Sequence, residues 1–155
     1  MAAVDYFLKI DGIKGESTDD KHKGEIEIES FSWGLSRSDQ GAGGGGRAGR
    51  VSFSDFSFTI VMSKASPKLM TQCAEGTHIK NAQLTARRAG EHQMEFLKVT
   101  LEDVLIASYQ TGGSGSSLPM ESLTLDFATA KIDFTSQEPT GKPGETVSAF
   151  IKLRR

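Results

Sequence analysis

The stretch Gly41–Arg50, "GAGGGGRAGR", comes closer than any other part of this sequence to a known chemical motif. Its first six residues satisfy G-x-G-x-x-G, with glycines at Gly41, Gly43 and Gly46, and its end, "GGGRAGRV", is one step from a P-loop. Such motifs bind phosphate because backbone N–H groups and the positive end of a following helix face the anion. The first chemistry to weigh is therefore nucleotide binding.

The sequence after the glycines argues against a phosphate site. Both motifs require a helix there, whereas "VSFSDFSFTIVM" from Val51 alternates β-branched and aromatic with polar residues, which predicts a strand. Arg50 stands where a P-loop lysine would reach the phosphates, and Val51 where a hydroxyl would bind magnesium. We therefore predict neither a nucleotide nor any other cofactor here. From Leu35 to Arg50 the chain is predicted to be a long flexible connection, able to span about 50 Å when extended.

Other residue types that could do chemistry lack the spacing that chemistry needs. The three histidines, His22, His78 and His92, show no metal-binding spacing, so we predict no metal site. No G-x-S-x-G signature marks a nucleophile, and "TGGSGSS" (Thr111–Ser117) is predicted to be a loop. Cys73 is interpreted as a packed core thiol and Trp33 as a packing aromatic. No catalytic residue is predicted, and the protein is not expected to be an enzyme.

Composition limits the class of protein further. The 155 residues suit a single domain, 1–155, with a net charge of −2 that gives no basic surface for nucleic acid. No apolar run is long enough to span a membrane, so no membrane insertion is expected. The single cysteine excludes an internal disulfide and suggests synthesis in a reducing compartment. The first residues, "MAAVDYFLKIDG", lack the basic and apolar regions of a secretory signal.

The elements that would hold these residues are almost all strands. Alternating or β-prone segments occur at Tyr6–Ile13, Glu25–Gly34, Val51–Met62, Asn81–Arg88, Met94–Ser108, around Leu123–Phe127, around Ile132–Phe134, and at Val147–Leu153. The apolar phase shifts after Ile28 and again near Asp55, which predicts a β-bulge at each point. The pattern favours a mainly β fold, a β-barrel or two-sheet sandwich of about seven to eight strands.

One segment, "SPKLMTQCAEG", has helical spacing. Ser66 is predicted as its N-cap, Pro67 as its first helical residue and Gly76 as its C-cap. Leu69, Met70 and Cys73 fall on one face at helical spacing. The sequence therefore predicts one short α-helix among the strands.

Six fragments in one order resemble a known family. They are "DYFLKIDGIKGES" (Asp5–Ser17), "FSWG" (Phe31–Gly34), the glycine stretch, "SPKLMTQCAEGTH" (Ser66–His78), "LTARRAG" (Leu84–Gly90) and "TGGSG" (Thr111–Gly115). Together they resemble the haemolysin-coregulated protein (Hcp) family, the inner-tube subunits of bacterial type VI secretion. The chain departs from that family near its end, where Ala149-Phe150 replaces a Gly-Trp pair that family members often have.

The resemblance implies a homohexameric ring and a stack of such rings that forms a tube. The implied partners are the sheath, spike and baseplate proteins, together with small effector proteins that travel in the lumen and are chaperoned there. The resemblance also implies a protein made in the bacterial cytoplasm and secreted through the type VI apparatus without a signal peptide. A ring would cover exposed sheet edges with the next subunit.

Two sets of site residues follow from the resemblance together with the sequence pattern. If Phe31 and Trp33 point inward, Ser32 points to the opposite face, where it is a candidate contact for an effector in the lumen. An ordinary exposed serine is the alternative that periodicity leaves open. The proposed ring-stacking loop consists of Gly41, Ala42, Gly43, Gly44, Gly45, Gly46, Arg47, Ala48, Gly49 and Arg50. Its candidate acidic partners are Glu16, Asp19 and Asp20.

Two other functions remain open at the level of sequence. The first is a monomeric or dimeric β-barrel that binds a small ligand, with the glycine stretch as its lid. The second is a hydrolase whose residues assemble only in space. Oligomeric mass separates the ring from the ligand-binding barrel, because a ring is several times heavier than its 16.7 kDa chain.

Overall fold

The computed structural model describes residues 4–38, 50–89 and 93–153, and this part of the chain contains eleven strands and one helix. The strands are β1 (Val4–Ile10), β2 (Ile26–Ile28), β3 (Ser30–Ser32), β4 (Leu35–Ser38), β5 (Arg50–Phe53), β6 (Phe56–Val61), β7 (His78–Arg88), β8 (Glu95–Ser114), β9 (Ser117–Asp126), β10 (Thr129–Gln137) and β11 (Pro143–Lys152). The helix is α1 (Ser66–Glu75). The prediction of a mainly β fold with one short helix is confirmed.

Nine of the strands form one antiparallel sheet that returns to its starting point. Its main path runs β2-β1-β7-β8-β9-β6-β3, while β10 pairs with β8 and β11 pairs with β10. The path begins at β2 and ends at β3, which are consecutive in the chain and separated by Glu29. The sheet is therefore wrapped around a core and joined through the covalent chain. The strands β4 and β5 form a separate two-stranded sheet.

Strand β8 joins two halves of the wrapped sheet, one that contains β7 and β10 and one that contains β9, β6 and β3. Along Leu97–Glu102 it is paired on one side with β7 and on the other with β10. Beyond Leu105 it pairs with β9. A strand of 20 residues is long for a globular protein, and here its length lets one strand belong to both halves.

The two predicted bulges are wrong, because both are complete breaks where the chain changes partners. At Glu29 the chain leaves β2, which pairs with β1, and enters β3, which pairs with β6. At Ser54–Asp55 it leaves β5, which pairs with β4, and enters β6. A change of neighbouring strand moves the apolar face just as an inserted residue would, so the two cannot be told apart by periodicity.

The helix has a different start from the predicted one. Ala65 is the N-cap and makes no side-chain cap bond, whereas Ser66 is the first helical residue. The Ser66 hydroxyl donates instead to buried Glu121 at 2.6 Å. A tertiary hydrogen bond has thus replaced the local cap. The predicted C-cap is confirmed, since Gly76 has a left-handed φ of 65°.

Two segments predicted as loops are strands. Strand β8 continues to Ser114 and β9 begins at Ser117, so most of "TGGSGSS" belongs to a hairpin. Strand β11 begins at Pro143, four residues before the predicted strand, within "KPGE". In both places pairing with a neighbouring strand overrides the low strand propensity of glycine and proline.

The core is built around a cluster of aromatic rings. Phe56 is 1% exposed and stacks on Trp33 and on Phe58, each with ring centroids 5.2 Å apart. Phe31 stacks on Phe56 at 5.9 Å, and Phe127 meets it edge-on at 6.4 Å. Trp33 is confirmed as a packing aromatic. Cys73 is partly buried against the same core, as predicted.

Candidate functional site

Four neighbouring strands, β3, β6, β9 and β8, present a surface made almost entirely of hydroxyl groups. The strand register aligns two rows across them, Ser32–Ser57–Thr124–Ser108 and Ser30–Thr59–Ser122–Gln110. We call these eight residues the hydroxyl face. Seven of the eight are Ser or Thr, and none of the eight has a charged side chain.

The hydroxyl face points outward because its strands alternate. On the opposite side of the same strands Phe58 and Leu123 are both 1% exposed, and Phe31 packs against the core. Ser32 is exposed between Phe31 and Trp33, so its predicted orientation is confirmed. The other seven residues were missed by sequence reasoning. The signal was present in the polar positions of "FSFTIV" and "ESLTLD", but only the register shows that they adjoin Ser32.

The hydroxyl face is bordered by acidic side chains at one end and by apolar side chains at the other. At one end lie Asp55 and Asp126, where burial and the Asp126 charge raise the pKa of Asp55 above its usual range. At the other end lie Val61 and Met120, which are paired across β6 and β9. Between them the surface offers hydrogen-bond donors and acceptors without fixed charge, as the 2.6 Å contact between Ser108 Oγ and Thr124 Oγ1 illustrates.

A buried polar network lies beneath the hydroxyl face. Glu121 is 1% exposed, and its two carboxylate oxygens accept hydrogen bonds from Ser66 on α1 and from the Tyr109 phenol on β8. Burial and the hydrogen bond to Glu121 raise the pKa of Tyr109 to about 12. Because both oxygens of this buried acid have a donor, the network ties the helix to the β8–β9 hairpin.

A second surface is the hairpin formed by β4 and β5, which we call the hairpin arm. Its register runs from Leu35↔Phe53 to Ser38↔Arg50. At its base the Ser54 hydroxyl accepts from the Gly34 N–H at 2.8 Å and donates to the Gly34 carbonyl oxygen at 2.9 Å. Leu35 is 52% exposed although it is apolar. The predicted flexible connection from Leu35 to Arg50 is therefore wrong at its two ends, which form a ladder.

The ring-stacking prediction itself lies mostly outside the described residues. Residues 39–49 are not described, so of the ten predicted residues only the backbone of Arg50, the first residue of β5, is placed. The predicted strand after the glycines is confirmed by β5.

One predicted acidic partner of the loop is used within the subunit. The guanidinium of Arg87, 4% exposed, contacts both carboxylate oxygens of Asp19 at 2.8 and 2.5 Å. These hydrogen bonds hold the pKa of Asp19 at about 2. Asp19 is thus paired within the subunit and Glu16 accepts the Lys64 backbone N–H at 2.7 Å. The assignment of Glu16, Asp19 and Asp20 as partners of the loop stays a prediction.

Two of the three histidines, His22 and His78, have structural partners within the subunit. His22 is buried, with Nδ1 3.0 Å from Glu25 and Nε2 2.9 Å from Glu95. His78 lies on the surface, 3.0 Å from Asp103, and His92 is outside the described residues. Over ranges 4–38, 50–89 and 93–153 no group of three or more His, Cys, Asp or Glu could hold a metal ion. The helix described here is also too short and too polar to cross a membrane.

Comparisons with known proteins agree with the sequence pattern. Residues 7–134 match the family model described as "Type VI secretion system effector, Hcp". The chain is 46% identical to Protein hcp1 of Pseudomonas aeruginosa, over 99% of this chain and 97% of that protein. Among solved structures it is similar to Hcp1 from Salmonella typhimurium, with a TM-score of 0.83, 38% identity, and coverage of 98% of this chain and 95% of that one. It is also similar to a type VI secretion system effector from Yersinia pestis, with a TM-score of 0.79, 32% identity, and coverage of 96% and 100%.

The buried network generates a prediction about alkaline stability. Tyr109→Phe leaves one Glu121 oxygen without its donor, which should lower the free energy of unfolding at pH 7 by about 1–3 kcal/mol. The folded-state pKa of about 12 lies above the ordinary 10.0, so the wild type should lose stability as pH rises from 10 towards 12. The variant should not lose this increment. Urea unfolding between pH 7 and 12 measures both effects, with Tyr6→Phe as the control. Equal alkaline losses in wild type and Tyr109→Phe would contradict the assignment.

Proposed function

The chain belongs to the Hcp family of type VI secretion proteins, and from this premise we propose that it is the subunit of a homohexameric ring. Rings stack into a tube that works with the sheath, spike and baseplate proteins of the type VI system, and the lumen holds and chaperones small effector proteins. The protein is made in the bacterial cytoplasm and leaves through the apparatus itself. Its role is structural and not enzymatic.

An exposed edge strand supports assembly into a ring. Among the described residues β11 pairs with β10 alone, which leaves its other edge without a ladder. Val147 is 62% exposed and Phe150, in the segment that departs from the family pattern, is 65% exposed. Phe134, paired with Val147 across β10 and β11, is 48% exposed. A long edge strand with exposed apolar side chains invites aggregation unless a partner covers it, and a closed ring covers every copy.

The hairpin arm supports the stacking of rings. Its two strands bring Ser38 and Arg50 opposite each other. The glycine segment therefore links β4 to β5 at the end of this hairpin. The arm pairs with no other strand in the described part of the chain. Glycine loses more backbone freedom than other residues when it is ordered, so a contact with a neighbouring ring would be a reason to keep such a segment.

The hydroxyl face supports a lumen lining. Its short side chains leave room on the surface, and its groups bind polar atoms of a cargo protein without attracting one sign of charge. Ser32 lies at the end of one row of the hydroxyl face, on β3. The observation that favours a lumen role over an ordinary strand serine is the continuity of hydroxyls across four strands.

The first prediction concerns the ring. Native mass spectrometry at micromolar concentration should show a mass six times that of the 16.7 kDa chain. Val147→Asp combined with Phe150→Asp should reduce it to monomer, because the two residues lie on opposite faces of β11 and would place a charge on each face of the covered edge, while far-ultraviolet circular dichroism stays unchanged. Met70→Asp, at an exposed apolar residue of α1, is the matched control and should keep the ring. A wild type that is only monomer or dimer across a range of concentration and salt would refute the ring.

The second prediction concerns stacking. Replacement of Ala42 to Ala48 by a two-residue turn should leave the circular dichroism spectrum and the ring mass nearly unchanged, because β4 and β5 retain their ladder. Tube formation, followed by electron microscopy, and secretion should both fail. Arg47→Gln with Arg50→Gln tests whether charge contributes, and should weaken tubes without shortening the arm. Tubes of normal length from the shortened protein, or failure of that protein to fold, would show that the loop does not join rings.

The third prediction concerns cargo. Ser32→Gln should leave rings intact and lower the recovery of a co-expressed effector, because a longer side chain occupies the hydroxyl face. Ser116→Gln, in the exposed turn between β8 and β9, is the matched control and should not change recovery. Recovery is measured as the ratio of effector to ring after affinity purification. An unchanged ratio for Ser32→Gln would remove Ser32 from the cargo surface.

A further inference from the structure

A cleft of about 700 Å³ lies on another part of the subunit, away from the hydroxyl face. Its walls come from the end of β1, the segment 11–18, residues 23–25 and Lys64. A smaller depression of about 440 Å³ shares Gly12, Lys14 and Lys64 with it and extends it to Lys68 on α1. Because the two share three lining residues, they form one continuous groove, which we call the lysine cleft. No residue of the hydroxyl face lines it.

The lysine cleft has an excess of uncommitted positive charge. Its lysines are Lys9, Lys14, Lys23, Lys64 and Lys68, all exposed. None of the five is within ion-pair distance of a carboxylate elsewhere in the described residues.

The carboxylates that line the cleft are fewer and partly engaged. They are Asp11, Glu16 and Glu25. Glu16 accepts the backbone N–H of Lys64 at 2.7 Å, and Glu25 lies 3.0 Å from His22 Nδ1. The groove therefore presents five ammonium groups against three carboxylates, and none of the five forms an ion pair with a carboxylate among the described residues.

The wall of the cleft is held firmly in place. The Gly15 N–H donates to the Gly24 carbonyl oxygen at 2.7 Å, and a Cβ at Gly15 would lie 2.4 Å from the Glu25 carbonyl oxygen. The ion pair of Asp19 with buried Arg87 fixes the far part of the same segment to β7. The lysines thus extend from a backbone that is ordered before any partner arrives, which lowers the entropy cost of binding.

We infer that the lysine cleft binds an extended acidic segment of a partner protein, one that has several Asp or Glu residues in succession. A groove of this volume accommodates a short stretch of peptide. Lysine is a flexible point charge, whereas a single planar or tetrahedral anion is better matched by the fixed fork of arginine. Five separate lysines along a groove suit carboxylates that are spread along a chain. The cleft lies apart from the hydroxyl face and from the β11 edge, and it shares only Glu16 with the residues proposed for ring stacking.

Binding of labelled peptides to the whole protein tests the inference. The probe is a fluorescein-labelled hexaglutamate peptide, with hexaglutamine as its uncharged counterpart, and fluorescence anisotropy measures affinity. We expect hexaglutamate to bind and hexaglutamine not to bind, with an affinity that falls as salt rises. The triple variant Lys14→Gln, Lys64→Gln, Lys68→Gln should weaken hexaglutamate binding about tenfold. Native mass spectrometry should show the same oligomeric mass as the wild type.

A charge-matched control makes the result specific to the cleft. Lys98→Gln, Lys131→Gln, Lys152→Gln removes the same charge from exposed lysines outside the cleft and should change hexaglutamate affinity by less than about twofold. Equal weakening by the two triple variants would mean that net charge alone attracts the peptide, and would overturn the inference. Complete competition by millimolar inorganic phosphate at constant ionic strength would also overturn it, because the site would then bind a compact anion.

Discussion

The stacking of aromatic rings on Phe56 is the interaction on which the rest of the structure depends. Phe56 contacts Phe31 within β3, Trp33 just after β3, Phe58 on its own strand, and Phe127 just after β9. These contacts assign one face of each strand to the interior. Because side chains alternate along a strand, every residue between the aromatic and aliphatic positions is then directed outward. The hydroxyl face is the necessary reverse side of the aromatic core.

The same division explains what the sequence could and could not predict. Alternation within "FSFTIV" and "ESLTLD" was sufficient to predict strands, and "FSWG" was sufficient to orient Ser32. Periodicity contains no information about which strand lies beside which, so the change of partner at Glu29 resembled a bulge. For the same reason the hydroxyl rows were not predicted, since they exist only in the register between strands. The start of α1 was misassigned because a distant carboxylate, Glu121, took the Ser66 hydroxyl that a local cap would have used.

Charge is distributed unequally over the two halves of the wrapped sheet. In the half that contains β7, the start of β8 and β10, the outward rows include Lys98 opposite Asp133 and Thr100 opposite Lys131. In the other half the corresponding rows contain hydroxyls and one amide. A surface with both signs of charge selects neighbours of complementary charge, whereas an uncharged polar surface contacts a protein only through short-range hydrogen bonds. This difference in charge between the two surfaces is consistent with the ring proposed above.

The segment 14–24 lies between β1 and β2 in the chain, and its anchoring shows why the subunit can be rigid there. Phe7 lies on the outward side of β1 yet is 3% exposed, because His22 stacks on it at 4.4 Å and Arg87 lies 4.9 Å from its ring centre. Arg87 is in turn held by Asp19 and Asp5. Phe7 is thus buried in a second small cluster on the outer side of β1. The charge of Arg87, which covers it, is balanced by Asp5 and Asp19. A loop fixed in this way presents its lysines from a defined position, whereas the hairpin arm is fixed at its base by Gly34 and Ser54.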